Sequence, residues 1–470
     1  MKFYLAGEWV DRDEQIPVLN PFNQEVVDTV PKATAADVET ALVAASKAKA
    51  SMAALTRYER FQILRRAADR LRESAETLAR ILSAEEGKTL AESRSEIERS
   101  AQTLELSGEE AKRLGGEVLP LDAGQGVQGK LGLTLRVPCG VVVAISPFNF
   151  PLNLVCHKVG PAIAGGNAII LKPASDTPLI AIKLVEILLE CGLPPLGMSV
   201  ITGSGREVGE ALCQDSRVRK ISFTGSQEVG ERICHIAGMK KVTMELGSNS
   251  PLVVLPDADL DKVAQATVQS GFANAGQVCI SAQRLIVVDS VYDALMTQLA
   301  PKVQGLQAGD PLRDESQMGP MVRTGDAERV ETWIQQAVQQ GAELVCGGQR
   351  DGALMQPTLI GETTPDMEVV REELFGPAVA ALRAPDVEAA IQMANDTRFG
   401  LSASIFTQDI DRALQFARQV DSGNIHINSG PMWRTDLMPY GGLKMSGMGK
   451  EGPKYAVLEM TETKTVVFHS

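Results

Sequence analysis

The sequence has few aromatic residues, few histidines and no long apolar run. Phenylalanine, tryptophan and tyrosine make up 4% of the 470 residues. No stretch approaches the ~18 consecutive apolar residues that a membrane helix needs. The N-terminal segment turns acidic by Glu8 and lacks the apolar core of a signal peptide. We therefore expect no membrane association and no secretion signal.

The cysteines and histidines are scattered. None of the seven cysteines forms a C-x-x-C pair, and the four histidines, at positions 157, 235, 426 and 469, show no paired spacing. Scattered cysteines in odd number are typical of reduced thiols in the cytoplasm. Because zinc sites use closely spaced cysteines and histidines, we predict a cytoplasmic protein without a metal site.

The charge balance is acidic, with 46 basic and 59 acidic residues and a formal net charge of −13. This composition lacks the basic footprint of proteins that bind nucleic acid or anionic membranes. Hydrophobic residues make up 44% of the chain, enough to bury more than one core. At roughly 100–200 residues per domain, the length predicts two to four domains.

Helical periodicity dominates the first quarter of the chain, from residue 34 to 114, and Gly115 and Gly116 end it. A Gly-rich excursion over residues 118–134 follows. From Arg136 onward, short β-rich runs alternate with helical patterns, which predicts a parallel, doubly wound α/β sheet. The predicted strands are Val141–Ile145, Ala168–Leu171, Ser199–Ile201, Ile221–Phe223 and Val242–Leu246, and the predicted helices are Thr177–Cys191, Glu207–Cys213 and Gln227–Ala237.

A second alternating series begins near Pro251. It predicts a second α/β lobe that meets the first near residue 248, with strands including 284–288, 378–382 and 424–428. A final strand is predicted at Lys464–Phe468, where a terminal edge strand is suited to pairing with another subunit. Ligands of such sheets bind at the carboxyl ends of the strands.

Two loops are candidates for binding a dinucleotide. The run from Gly203 to Gly209 is one residue too long for G-x-G-x-x-G, so by itself it indicates an ordinary turn. Gly225 and Ser226 follow a predicted strand and open a helix containing Gly230, where free N–H groups would suit a pyrophosphate. Neither loop alone separates a coenzyme site from a common α/β turn, and Cys279 alone is no more than a candidate thiol.

A set of short motifs in a fixed order is more specific. The chain resembles the aldehyde dehydrogenase superfamily, NAD(P)-dependent enzymes that oxidise aldehydes to acids, and within it members acting on succinate semialdehyde or lactaldehyde. The likeness covers essentially the whole chain. The matching motifs are Pro147–Pro151 (PFNFP), Leu171–Pro173 (LKP), Phe223–Ser226 (FTGS), Glu245–Gly247 (ELG), Gly276–Cys279 (GQVC), Glu372–Pro377 (EELFGP) and Pro439–Gly447 (PYGGLKMSG).

The resemblance implies three catalytic roles. Cys279 would attack the aldehyde carbon, a step that needs its thiolate form. The Asn149 amide and the Cys279 backbone N–H would hold the oxyanion. Glu245, 34 residues before Cys279, would act as general base toward the thiol, the deacylating water, or both.

The resemblance also implies a coenzyme site. Glu373 would bind the nicotinamide ribose with Phe375 beside the ring, and Lys172 would reach the adenosine ribose. NAD-preferring members usually carry Glu three residues after this lysine, where the chain has Ser175. Because serine removes a charge that would repel a 2′-phosphate, we predict that NADP is accepted, with preference for it left open.

The substrate is less well defined by sequence. Asn153, His157 and Arg434 are candidate contacts for a polar or anionic tail, and His157 stands where succinate-semialdehyde dehydrogenases carry arginine. The few aromatic residues argue against large aromatic aldehydes. We expect a small aldehyde of lactaldehyde, semialdehyde or phosphorylated type.

The implied architecture is two doubly wound α/β domains plus a small β oligomerisation element. Residues 1–116 and 136–247 would bind coenzyme, 248–444 would form the catalytic domain, and 117–135 with 445–470 would make a homodimer or homotetramer. One departure from the family is Ser248 in place of the second glycine of ELGG, for which we expect a local adjustment. Two alternatives stay open: transfer of the acyl group to coenzyme A, which the presence of Glu245 disfavours, and a catalytically silent protein of the same fold.

Overall fold

An eight-stranded sheet organises the first lobe. A computed structural model describes residues 1–469 of the chain. The five central strands of this sheet are parallel. Phe3–Leu5 on one side and Gly447–Met448 on the other pair antiparallel with them, and Glu8–Val10 pairs antiparallel with Phe3–Leu5. In spatial order the strands are Glu8–Val10, Phe3–Leu5, Met198–Val200, Ala168–Lys172, Val141–Ile145, Lys220–Thr224, Lys241–Glu245 and Gly447–Met448.

Helices cover both faces of this sheet. The threonines Thr34, Thr56 and Thr89 each begin a helix with a reciprocal capping box, which satisfies free N–H groups of the first turn. The predicted helical region 34–114 is confirmed as four helices. The helices of the lobe are Ala35–Ala54, Arg57–Glu73, Ala75–Glu86, Leu90–Arg113, Asn153–Ala164, Leu179–Glu190, Glu210–Gln214, Gln227–Ala237 and Pro453–Glu459.

The second lobe is built on a seven-stranded sheet in which six strands are parallel. In spatial order the strands are Glu343–Cys346, Thr358–Gly361, Ala378–Ala384, Arg284–Val288, Pro251–Val254, Ser402–Phe406 and Asn424–Ile427. Its helices are Leu260–Phe272, Asp289–Gln304, Thr324–Gln339, Glu368–Arg371, Val387–Asn395 and Ile410–Gln419. The last parallel strand of the first sheet ends at Glu245, and the first strand of the second sheet begins at Pro251.

A separate three-stranded sheet combines distant segments. Strand Lys130–Pro138 lies between Val118–Leu119 and the C-terminal strand Thr461–His469, all antiparallel. This sheet uses less of the C-terminal segment than the predicted range 445–470. Gly447–Met448 instead pairs with the edge of the first sheet, and helix Pro453–Glu459 packs on the first lobe.

Shorter elements complete the fold. The predicted helix Glu207–Cys213 is wrong in detail, because a π-helical turn at Gly205–Gly209 precedes a short α-helix at Glu210–Gln214. Between residues 1 and 469, no helix is both long and apolar enough to cross a membrane. Two hairpins outside the large sheets are Gln15–Leu19 with Val26–Pro31 and Arg350–Asp351 with Leu354–Met355. The 3-10 turns of residues 1–469 are Leu121–Ala123, Pro195–Gly197, Ala273–Gly276 and Lys444–Ser446.

Candidate active site

Two cavities reach the side chain of Cys279. One is a cleft of about 770 Å³ between the lobes, and the other is a cavity of about 200 Å³. Both are lined by Leu154 and Cys279, and they share no other lining residue. Each volume fits a ligand class: the cleft is large enough for a dinucleotide, and the smaller cavity for a molecule of a few carbon atoms. The half-buried thiol therefore stands where the two cavities meet.

A strained turn places this thiol. Helix Leu260–Phe272 ends, and Asn274 and Ala275 then adopt the left-handed region, with φ of 50° and 52°. Gly276 follows at φ 69°, where a Cβ would overlap the Gly376 carbonyl. Left-handed backbone is costly for residues other than glycine, and such strain concentrates at functional sites.

The Cys279 sulfur contacts one polar side chain. Its Sγ lies 3.1 Å from the Tyr440 hydroxyl oxygen. Burial raises the pKa of the Cys279 thiol to about 12, while the Tyr440 hydrogen bond and the charge of Arg434 act to lower it. The thiol therefore needs a base and nearby donors before it ionises.

Asn149 lies against the loop that carries Cys279. Its side-chain Nδ2 donates to the Gln277 carbonyl over 2.9 Å. The backbone carbonyl of Asn149 accepts hydrogen bonds from Lys88 Nζ at 2.7 Å and from Asn274 Nδ2 at 3.0 Å. Since an amide nitrogen carries two hydrogens, one donor of Asn149 remains for a ligand.

A buried ion pair supports Asn149 from behind. Lys88 Nζ lies 2.6 Å from Glu96 Oε2, and both side chains are about 1% exposed. Glu96 Oε1 accepts the N–H groups of Leu152 and Asn153, at 2.9 and 3.0 Å. The carboxylate of Glu96 thus satisfies free N–H groups where helix Asn153–Ala164 begins, next to the Asn149 loop.

Glu245 ends its strand as a buried acid without a partner. Within residues 1–469, neither of its carboxyl oxygens has a hydrogen-bond partner, and the residue is 2% exposed. Burial raises the pKa of Glu245 well above its usual value, and the nearby charge of Glu451 raises it further. Glu245 and Cys279 line the same cleft. A carboxyl with a raised pKa in a ligand cavity is suited to taking up a proton near neutral pH.

The cleft is also lined by four predicted coenzyme residues, Lys172, Ser175, Gly225 and Ser226. Burial lowers the pKa of Lys172 to about 8, and its Nζ donates to the Pro173 carbonyl at 3.1 Å. Ser175 Oγ donates to the Gly203 carbonyl at 3.1 Å. Ser226 caps helix Gln227–Ala237 by accepting the Val229 N–H at 3.5 Å.

Gly230 differs from its prediction as a coenzyme contact. It does not line the cleft, and a Cβ there would overlap the Leu246 side chain. Gly230 therefore allows its helix to pack closely against Leu246.

Glu373 and Phe375, the predicted nicotinamide contacts, also line the cleft. Glu373 Oε1 accepts the Ser248 N–H at 2.9 Å, and burial raises the pKa of this carboxyl to about 7. Gly247 gives the carboxylate its place, since a Cβ there would overlap it. Ser248 is accommodated as expected, with its hydroxyl 3.2 Å from Ser250 Oγ. The buried carboxyl of Glu373 and the buried amine of Lys172 in one cleft fit a dinucleotide coenzyme.

The small cavity is lined by Asn153, Arg99 and Arg434 as well as Cys279 and Tyr440. Arg434 is a buried cation whose Nη2 lies 3.3 Å from Glu451 Oε2. Arg99 Nη2 donates to Asp436 Oδ1 at 3.3 Å, and Asn153 Nδ2 donates to Thr103 Oγ1 at 3.1 Å.

His157, a predicted substrate contact, does not line the small cavity. His157 lies behind the cavity wall, with Nε2 3.0 Å from Asp436 Oδ1 and 3.2 Å from Arg434 Nη2. Burial lowers the pKa of His157, and the charge of Arg434 lowers it further. His157 lies one turn further along helix Asn153–Ala164 than Asn153, on the same face, and its contacts with Asp436 and Arg434 hold it away from the cavity that Asn153 lines.

Sequence reasoning did not identify Lys88, Arg99 or Tyr440 as part of the site. Tyr440 belongs to the motif PYGGLKMSG, which the sequence shows, but the motif does not indicate that Tyr440 contacts Cys279. Lys88 and Arg99 are charged residues of a helical region and carry no local signal. In the described part of the chain, no cluster of three or more His, Cys, Asp or Glu could hold a metal ion.

Comparisons with known proteins agree with this geometry. The 3-sulfolactaldehyde dehydrogenase of Priestia aryabhattai is 45% identical over 99% of this chain and 97% of the relative. Aldehyde dehydrogenase 21 of Physcomitrella patens, solved with the product succinate, has a TM-score of 0.96 at 39% identity and covers 99% of this chain and 98% of its own.

A further solved structure contains a coenzyme. The glyceraldehyde-3-phosphate dehydrogenase of Methanocaldococcus jannaschii, complexed with NADP, has a TM-score of 0.94 at 38% identity. The match covers 98% of this chain and 100% of that one. The sequence model of the aldehyde dehydrogenase family matches residues 9–466. The chain therefore belongs to the aldehyde dehydrogenase family, whose fold it has, and is an oxidoreductase acting on aldehydes.

Proposed function

We propose that the protein oxidises a small aldehyde with an anionic tail to the carboxylic acid, using NAD or NADP and a thioester on Cys279. The observation that carries this proposal is the meeting of two cavities at Cys279, with the unpartnered carboxyl of Glu245 in the wall of the larger one. Coenzyme and aldehyde would then approach the thiol from different sides.

The first chemical step is attack by sulfur. Glu245 takes the proton of the Cys279 thiol, and the thiolate forms a bond to the aldehyde carbon. The free hydrogen of Asn149 Nδ2 and the backbone N–H of Cys279 stabilise the negative oxygen, a contribution typically worth 10²–10³ in rate for one donor.

The second half releases the acid. A bound coenzyme would supply the acceptor for the hydride of the tetrahedral carbon, which leaves a thioester on Cys279. Glu245 first releases the thiol proton to solvent and then removes a proton from a water molecule that attacks the thioester; the C–S bond breaks, the acid departs, and the Cys279 sulfur takes the proton back from Glu245. Residues placed to hold the coenzyme are Lys172, Ser175 and Ser226 at one end of the cleft and Glu373 and Phe375 at the other.

Acceptance of NADP rests on the charges around the adenosine end. Lys172 supplies a buried amine, and Ser175 supplies a neutral hydroxyl where a carboxylate would repel a 2′-phosphate. The relative from Methanocaldococcus jannaschii was solved with NADP. We infer that this chain accepts NADP as well as NAD.

The anionic tail rests on the cations of the small cavity. Arg434 and Arg99 both line it, and Asn153 adds an amide. The sulfonate of 3-sulfolactaldehyde, the carboxylates of succinate and the phosphate of glyceraldehyde 3-phosphate, named for three relatives, are all anions. A guanidinium recognises each of these groups through charge-assisted hydrogen bonds.

Subunit pairing is proposed for the small sheet. Strand Thr461–His469 is at its edge and pairs on one side with Lys130–Pro138. The exposed Phe468 on this strand, and the exposed Val118 on the strand at the opposite edge, add apolar surface to the sheet. We infer a cytoplasmic homodimer or homotetramer in which this sheet joins the subunits, and the three-part division into coenzyme-binding, catalytic and oligomerisation regions remains part of this proposal.

The test is formation of NADH and NADPH from a panel of aldehydes: 3-sulfolactaldehyde, succinate semialdehyde, lactaldehyde, hexanal and benzaldehyde. Cys279→Ala is expected to abolish turnover, and Cys346→Ala, a half-buried cysteine of the second lobe, to retain it. Full turnover by Cys279→Ala would overturn the mechanism. Faster oxidation of hexanal or benzaldehyde than of the anionic substrates would overturn the substrate class.

Transfer of the acyl group to coenzyme A is the alternative. Because Glu245 is present to activate water, the free acid is the expected product. Addition of coenzyme A to the assay, followed by mass spectrometry, distinguishes the two, since an acyl-coenzyme A product would contradict hydrolysis.

A further inference from the structure

The hydroxyl of Tyr440 has no role in the mechanism so far. It lies 3.1 Å from the Cys279 sulfur, at the end of the small cavity that the thiol closes. Tyr440 is 3% exposed and packs with Val278, Ile280 and Leu401. A buried phenol hydroxyl normally has a hydrogen-bond partner, and here that partner is the reacting atom itself.

The backbone around Tyr440 fixes this contact. The Tyr440 N–H donates to the Glu451 carbonyl at 3.1 Å, and the Glu451 N–H donates to the Tyr440 carbonyl at 2.7 Å. These two bonds form an isolated antiparallel bridge. Gly441 follows at φ +156°, where a Cβ would press on Glu245 and on the backbone of Gly449. The ring therefore has little freedom to move away from the sulfur.

A cation covers the face of the ring. The Arg434 guanidinium carbon lies 3.7 Å from the centre of the Tyr440 ring. A guanidinium stacked in this way withdraws electron density from the phenol and makes its O–H a stronger donor. The same charge favours a nearby anion. Phenol and guanidinium together thus form an environment suited to negative charge on sulfur.

We propose that Tyr440 is a further catalytic group, whose hydroxyl donates a hydrogen bond to the thiolate of Cys279 before it attacks. The proposal rests on the proposed role of Cys279 as nucleophile. No proton leaves Tyr440 in this step: the thiol proton goes to Glu245, and the phenol keeps its own. A hydrogen bond to a charged acceptor favours that charged form, so it raises the thiolate fraction at a given pH.

The experiment measures the thiolate directly. Iodoacetamide alkylation of Cys279 is followed by mass spectrometry of its peptide between about pH 7 and about pH 9, where the rate is proportional to the thiolate fraction. Tyr440→Phe removes only the hydroxyl and is expected to slow alkylation about tenfold at each pH, which corresponds to a rise of about one unit in the thiol pKa. The value of kcat/KM is expected to fall in parallel.

Tyr292→Phe is the matched control. Tyr292 is also 3% exposed, and its hydroxyl accepts the Glu362 N–H at 2.9 Å in the second lobe. This variant is expected to alkylate at the rate of the unchanged protein, and urea unfolding reports whether either variant has lost its fold. Unchanged alkylation in a folded Tyr440→Phe would overturn the proposal. Turnover retained by Cys279→Ala would overturn the proposed function instead, so the two failures are distinguishable.

Discussion

Replacing Lys88 with methionine leaves the buried carboxylate of Glu96 without its cation. Lys88 Nζ and Glu96 Oε2 are 2.6 Å apart, and each side chain is about 1% exposed. Removal of one partner of such a pair typically costs about 3–5 kcal/mol. Because Glu96 keeps the N–H groups of Leu152 and Asn153, we expect the lower end, about 3 kcal/mol of the free energy of unfolding.

The same change acts on catalysis. The backbone carbonyl of Asn149 would lose its hydrogen bond of 2.7 Å from Lys88 Nζ, and only the hydrogen bond from Asn274 Nδ2 would remain. The amide of Asn149 would then be aimed less accurately at the developing oxyanion. Since loss of an oxyanion donor costs about 10²–10³ in kcat, we expect Lys88→Met to lower kcat about tenfold or more while KM changes less.

The assays are urea unfolding and steady-state kinetics, with Lys183→Met as the matched control. Lys183 pairs with Glu186 at 2.7 Å on the surface, with both side chains about one-third exposed, so its loss should cost at most about 0.5 kcal/mol. The double variant Lys88→Met/Glu96→Gln removes both charges and should recover part of the lost stability. Its free energy of unfolding, compared with those of the two single variants, gives the coupling energy of the pair. A Lys88→Met protein as stable as the control, with an unchanged kcat, would refute the reasoning.

Two further predictions concern the coenzyme. Ser175→Glu places a carboxylate beside Lys172 and is expected to lower kcat/KM for NADP relative to NAD at least about tenfold. Ser290→Glu, at an exposed helix start, is the control and should leave this ratio unchanged. An equal loss in both variants would contradict the prediction. Burial raises the pKa of Glu373 to about 7. The fraction of Glu373 in the carboxylate form, which accepts hydrogen bonds from ribose hydroxyls, therefore increases between about pH 6 and about pH 8. The coenzyme Kd, measured by fluorescence titration, should therefore fall as pH rises from about 6 to about 7. This fall should be absent in Glu373→Gln, where Lys172, whose pKa is about 8, still titrates at the upper end of the range; the same fall in that variant would remove Glu373 as the cause.

The accuracy of the sequence predictions follows the physical signal at each place. Strand Val141–Ile145 is predicted to the residue because it is apolar on both faces, as a central parallel strand must be. Helix Gln227–Ala237 is predicted exactly, since Ser226 caps its start and Gly238 follows its end. In these cases the determining forces are local in the sequence.

Side-chain direction in the site is not local. His157 and Asn153 lie on one helix, yet only Asn153 lines the cavity, and the residues that decide this are Asp436 and Arg434, nearly 280 positions along the chain. The contact of Tyr440 with Cys279 likewise joins two loops that are 161 residues apart. Motifs therefore predict which residue types are present, while packing of the two lobes determines what they touch.

The two cavities that share only Leu154 and Cys279 also have a kinetic consequence. A coenzyme molecule in the cleft and an acid in the small cavity occupy separate volumes, so either should be able to leave while the other stays. Each product should therefore inhibit by competing with a different substrate. Reduced coenzyme should compete with oxidised coenzyme, and the carboxylic acid should compete with the aldehyde. A ternary dead-end complex of oxidised coenzyme with the acid becomes a species to expect at high product concentration.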